Sequence, residues 1–193
     1  MLTLRKETPL KKILNDVIPN TKIELLYYDE AFFRRESTVT RGWYPRGSKA
    51  QVKCAATFEK VGTCGAVNPR DGTLHSLTFD GFDSDTFIYY LRWLLRTLKS
   101  NKKIVLVLDN ASSHKSHKVR DFTAKHKKQL ELLFLPAYSP DLNPIERVWK
   151  HLRYHVTHNT YFETLQALED AIINYLKGHA KPNESLESLC CIK

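Results

Sequence analysis

Three acids in this chain fall at the ends of expected elements. Asp29 closes "KIELLYYD" (22–29), Asp109 closes "KIVLVLD" (103–109), and Glu146 follows "SPDLNP" at the mouth of a helix. In an α/β sheet, neighbouring strand ends meet at one edge, and the crevice there is the usual place for a site. Three carboxylates in one crevice repel each other and take up protons unless a cation shares the space. Magnesium suits such a set, because it accepts carboxylate oxygens and keeps waters for substrate phosphates. Manganese is expected to substitute. Two such ions about 3.5–4 Å apart can activate an attacking oxygen and stabilise a leaving one in phosphoryl transfer. Each acid also has a plainer use. Asp109 can open a loop, and Glu146 is N3 of a helix if Asn143 is the N-cap and Pro144 is N1, a capping-box pattern. Cap and ligand are compatible roles for one residue. Asp29 is preferred to Glu30 because it directly ends the apolar run. Strand alternation sends Glu30 to the other face, where it is expected to be solvated.

Around these acids lie residues of a supporting kind. Asn110 and His114 follow Asp109 in "DNASSHKS", a polar edge suited to a wet site, and Asn143 fixes the helix that carries Glu146. "RGWYPRGSK" sets Arg41, Arg46 and Lys49 around Trp43 and Tyr44. Interleaved aromatics and cations suit nucleic acid through stacking and phosphate contact; the plainer reading is a turn with Trp43 packed on the core. Lys115 and Lys118 open a basic run, "HKSHKVRDFTAKHKK", which serves either as a solvated face or as a phosphate-binding one. Arg147 and Lys150 add cations beside Glu146. Trp149 falls on an apolar stripe and is expected in the core. His151, His155 and His158 share a helical spacing but have no acid cluster near them, so no second metal site is expected there.

The elements that must position these residues can be read from periodicity. Strands are expected at 22–28, at 51–59 (Val52, Cys54, Ala56 and Phe58 on one face), at "TCGAV" after a turn near Gly62, and at 73–79 beyond the "NPRDG" turn. The period then changes. Phe87, Tyr90, Leu91, Leu94, Leu95 and Leu98 make an amphipathic helix opened by "DSD". "KIVLVL" is an unbroken apolar strand that must be covered on both faces. A polar helix at about 115–128, the strand "ELLFLP", a helix striped by Ile145, Val148, Trp149, Leu152 and Val156, and a last helix at 162–176 complete the order. An antiparallel meander followed by alternating helices and strands predicts an α/β mixed sheet of the ribonuclease H-like kind. Residues 1–20 are expected to be a leading helical or linker segment broken at Pro9, 21–180 the domain itself, and 181–193 a C-terminal tail.

Bulk properties narrow the class. A chain of 193 residues with 30 Lys+Arg against 21 Asp+Glu carries a net charge of +9. That favours a polyanionic partner, nucleic acid before anionic membrane. No apolar run is long enough for a signal-peptide core or a membrane span, and the four cysteines form no CxxC pair, so free thiols in a reducing cytoplasm are expected.

Taken together, "LLYYDEAFF", "RGWYPRGS", "IVLVLDNASSHKS" and "LLFLPAYSPDLNPIERVWKHLR" resemble the DDE transposases of bacterial insertion sequences in the mariner-related superfamily, over about residues 22–158. The resemblance implies a ribonuclease H-like core with Asp29, Asp109 and Glu146 as the acidic triad; the interval of 37 positions between the last two is close to the family's. It places His114 beside the site in a supporting role. It implies DNA cleavage at element ends and transfer of the 3′ ends to target DNA, with double-stranded DNA as partner at terminal inverted repeats and target. It also implies a homodimer, since two ends are processed together, acting on nucleoid DNA. Relatives carry helix-turn-helix modules before this core, whereas about 20 residues precede the first strand here. The expectation is therefore the second product of a two-frame element, with an upstream helix-turn-helix product as partner, or a truncated copy. Another ribonuclease H-like nuclease and an inactive DNA-binding remnant are the competing readings.

Overall fold

The computed structural model describes residues 20–47, 51–98, 101–137 and 139–191. The expected leading helix and Lys49 lie outside these. Among the described residues, five strands form one sheet: β1 (Ile23–Arg34), β2 (Lys60–Val67), β3 (Leu74–Phe79), β4 (Lys103–Leu108) and β5 (Leu130–Phe134). Their order is β3-β2-β1-β4-β5. β1–β2 and β2–β3 pair antiparallel, while β1–β4 and β4–β5 pair parallel. The helices are α1 (Ser84–Leu98), α2 (His117–Lys125), α3 (Ile145–Leu152), α4 (Leu165–Gly178) and α5 (Glu184–Cys190), with a π-helical turn at Arg153–Thr157. This is the expected mixed sheet, a meander followed by alternating helices and strands.

Strand alternation divides the core between the two faces of the sheet. Leu25, Tyr27, Ala31 and Phe33 of β1, with Val105 and Val107 of β4, pack with α3, α4 and α5. Leu26 and Tyr28, with Ile104, Leu106 and Leu108, pack with α1 and α2. By the same parity Asp29 and Asp109 belong to the α3 side. Tyr27 pairs with Val107, so one alternation further along the two parallel strands come Asp29 and Asp109.

Four expectations are corrected. Residues 51–59 form no strand: Cys54 is exposed and Phe58 is 92% exposed. The partner of β1 begins only at Lys60, and Gly62 lies within β2 rather than at a turn. Alternation among small residues does not identify a buried face unless a neighbouring strand is there to pair with it. β1 does not stop at Asp29 but runs on to Arg34, because β2 pairs with it through Arg34↔Lys60. Residues 181–193 are not merely a tail. They contain α5, whose Leu186 and Cys190 are fully buried against α3. The "NPRDG" turn makes that docking close: Gly72 has φ +70°, and a Cβ there would stand 2.1 Å from the Asn183 carbonyl oxygen.

Candidate active site

A cavity of about 410 Å³ opens where β1 and the ends of β4 and β5 face the start of α3. It is lined by Asp29, Asp109 and Glu146 together with Asn110, Asn143, Leu135, Pro136, Ala137 and Ser139. The three acids singled out in the sequence therefore share one opening.

Asp29 is held from the side. Trp149 on α3 is buried, as its stripe predicted, and its indole N–H donates to Asp29 Oδ2 at 3.1 Å. Gly65 of β2, the register partner of Asp29, lets the indole approach: a Cβ there would lie 3.0 Å from Trp149 Cη2. Burial pushes the Asp29 carboxyl up to about 7, and the nearby charges of Glu146 and Asp109 push in the same direction. A cation in the cavity would relieve that strain.

Asp109 is more open, its side chain 56% exposed. Its Oδ1 accepts from the Ala111 backbone N–H at 3.1 Å and lies 2.9 Å from His114 Nδ1. The His114 bond is the main reason its carboxyl is held below the usual range. His114 is almost wholly buried, and its Nε2 lies 3.1 Å from Glu30 Oε1. Burial alone would keep the imidazole neutral, but hydrogen bonds to two carboxylates overcome it and raise its value to about 9. The ring thus donates to both acids.

Glu146, half-buried, sits in the first turn of α3. The expected cap is different. Pro144 is the N-cap residue, and Asn143 instead donates its amide to the Tyr28 carbonyl of β1 at 3.0 Å. This ties the start of α3 to the strand residue just before Asp29, a stronger constraint than a local cap. Among the described residues, the Asn143 side-chain oxygen is buried with no hydrogen-bond partner. Asn110 donates to the Leu135 carbonyl and accepts from Lys115, linking the ends of β4 and β5.

Glu30 is the residue that sequence reasoning missed. It is not solvated: it accepts from Tyr28 Oη at 2.9 Å and faces His114, with its side chain 18% exposed. The signal was present, since Leu26 and Tyr28 on the same face of β1 are core residues, and an acid between them and α1 needs a partner.

The cationic residues are more scattered. Arg41, Trp43 and Arg46 are exposed on the long excursion between β1 and β2, and Trp43 is entirely so. It is therefore not packed on the core. Lys118 pairs with Asp85 of α1 at 2.7 Å, Arg147 donates to the Leu189 carbonyl of α5 at 2.9 Å, and Lys150 is exposed. Among the described residues, no three His, Cys, Asp or Glu side chains stand close enough to hold a metal ion as placed. The acids share a cavity without forming a closed cluster, and the four cysteines are free.

Residues 24–169 match the family described as DDE superfamily endonuclease. The chain belongs to that family. Among its relatives, the insertion element IS630 uncharacterized 39 kDa protein of Shigella sonnei is 26% identical over 153 residues, covering 79% of this chain and 44% of that protein. The Tc3 transposase of Caenorhabditis elegans is 37% identical over 91 residues, covering 47% of this chain and 26% of that one. In structure the fold is that of the Mos1 transposase catalytic domain, which is ribonuclease H-like. The Mos1 paired-end complex with the left transposon end superposes with a TM-score of 0.71 at 17% identity, over 94% of this chain and 55% of that one. The Mos1 catalytic domain with raltegravir and Mg gives 0.64 at 18%, over 94% and 84%. The chain spans less than half of the Shigella relative and about half of the longer Mos1 chain.

Proposed function

We propose that this chain is the catalytic domain of a transposase, which cleaves double-stranded DNA at the terminal inverted repeats of an insertion sequence and transfers the 3′ ends to target DNA. One observation carries the reading: in a chain of the DDE superfamily endonuclease family, Asp29, Asp109 and Glu146 line one cavity at the edge of the sheet.

The donors at that cavity fit hard divalent cations. They are three carboxylates and the Asn143 side-chain oxygen, which has no hydrogen-bond partner among the described residues; all are oxygens, the set that magnesium and manganese prefer. Mos1 structures with Mg and with Mn support the same choice. Asp29 and Asp109 would hold two ions, and Glu146 would complete the set. Bound there, the ions supply the Lewis acidity that activates an attacking oxygen and neutralises charge on the phosphate. The protein's part is orientation. Trp149 fixes Asp29, His114 and the Ala111 N–H fix Asp109, and Asn143 anchors the turn bearing Glu146. Arg41, Arg46, Lys49, Lys115, Lys118, Arg147 and Lys150 are assigned to the DNA backbone, with Trp43 stacking on a base or sugar. A homodimer brings two ends together, and an upstream helix-turn-helix product reads the repeats.

The test is cleavage of element-end DNA in Mg²⁺ by the purified chain, alone and with the upstream product. Asp109→Ala and Glu146→Ala are expected to reduce cutting to background. Cutting that survives both substitutions overturns the assignment.

A further inference from the structure

The adjacent acids of β1 leave the sheet on opposite faces, and both lead to the same site. Asp29 enters the cavity directly. Glu30 points to the α1 side, where His114 lies between it and Asp109, 3.1 Å from one carboxylate and 2.9 Å from the other. We propose that Glu30 is a positioning residue for the Asp109 carboxylate, acting through the His114 ring. The inference rests on the reading of Asp109 as a metal ligand.

Glu30 and His114 are each fixed by their surroundings. Tyr28 Oη donates to the same Glu30 oxygen that faces His114, so the acid has one orientation. The imidazole packs against Phe87 with ring centroids 4.4 Å apart and edge-on to Tyr28 at 5.6 Å. Only 3% of its side chain reaches solvent. Asp109 itself is the loose member: it begins a loop, is more than half exposed, and both of its described bonds fall on Oδ1. A rigid ring bonded to that oxygen limits how the carboxylate can turn.

Stability alone is a poor reason for the arrangement. Buried charged groups contribute little beyond well-packed apolar side chains of similar volume, and Glu30 sits on the face that carries Leu26 and Tyr28. A role in orienting a ligating side chain accounts for an acid at that position. Such outer partners typically change metal affinity 10–100-fold when removed.

Manganese titration by calorimetry on the purified chain, with the metal-free melting temperature measured alongside, tests this. Glu30→Ala is expected to raise the Mn²⁺ dissociation constant about 10-fold or more. Glu30→Gln keeps an acceptor oxygen for the imidazole and should restore most of the affinity, which a loss of stability alone would not explain. If Glu30→Ala does not fold, Glu30→Leu, which fills the volume without an acceptor, takes its place with the same outcomes. Wild-type affinity in that variant, when Asp109→Ala has lost Mn²⁺, overturns the role of Glu30. So does a Glu30→Gln protein as weak as the alanine form. Undiminished Mn²⁺ binding in Asp109→Ala overturns the metal-site reading itself, and the inference with it.

Discussion

Burial distinguishes Asp29 from the exposed Asp109, and it gives the residue a measurable effect on stability. Its carboxyl titrates at about 7 in the folded chain against an ordinary 3.8. The native state therefore holds a proton that the unfolded state releases between these values. Stability from this group is fully present below pH 3.8 and is lost as pH rises towards 7. Asp29→Asn keeps an acceptor for the Trp149 indole but removes the charge. In the absence of metal, the stability of Asp29→Asn relative to wild type should increase by about 2 kcal/mol between pH 5 and pH 8, after allowance for partial solvation. His114 titrates in both proteins, so its contribution largely cancels in the comparison. Mg²⁺ at pH 8 should narrow the gap by binding native wild type more tightly than the variant. Urea unfolding at the two pH values, with and without Mg²⁺, checks all three statements, and a gap that does not change with pH contradicts them.

Elements decide whether the three acids meet, and α5 shows how far their support extends. This short helix buries Leu186 and Cys190 against α3, accepts the Arg147 guanidinium at the Leu189 carbonyl, and reaches the Pro144 carbonyl with the Cys190 thiol at 3.8 Å. It therefore braces the turn that carries Glu146. Leu186→Ala should cost about 3 kcal/mol, the usual scale for a large-to-small core change, measured by chemical denaturation. A value under about 1 kcal/mol would mean that α5 is not seated on the core. The sequence did not reveal this helix because its seven residues are too few for a periodic stripe to register. Elements with a stronger pattern were legible: the stripe from Phe87 to Leu98 and the unbroken apolar run of β4 predicted their structures. What stayed hidden depended on partners distant in the chain. Alternation at 51–59 found no strand to pair with, Asn143 bonded β1 instead of its own helix, and Glu30 met a histidine 84 positions away.

For the molecule as a whole, a net charge of +9 is distributed between cations that are already engaged and cations that are not. Lys118 is paired with Asp85, whereas Arg41 and Arg46 stand exposed beside the fully exposed Trp43 on the β1–β2 excursion. The base of that excursion is tied to the body: Ser37 Oγ donates to the Thr160 carbonyl at 2.9 Å, and Arg35 reaches the carbonyls of Phe162 and Glu163. Anchoring at the base keeps Arg41 and Arg46 of this arm attached to the body while leaving them exposed to a DNA backbone. Each phosphate neutralised on duplex DNA adds about 0.9 to the slope of log affinity against log salt. Arg41→Ala/Arg46→Ala should therefore lower that slope by about 2 in fluorescence-anisotropy titrations with element-end DNA. Lys118→Ala should lower it by less than one, because a phosphate must displace Asp85 from the ammonium before it is neutralised there. Trp43→Ala should weaken binding by about 1–3 kcal/mol while leaving the slope unchanged, since stacking releases no counterions. Equal slopes for wild type and the double arginine variant would remove the arm from the DNA interface and leave the cations around the cavity to hold the duplex.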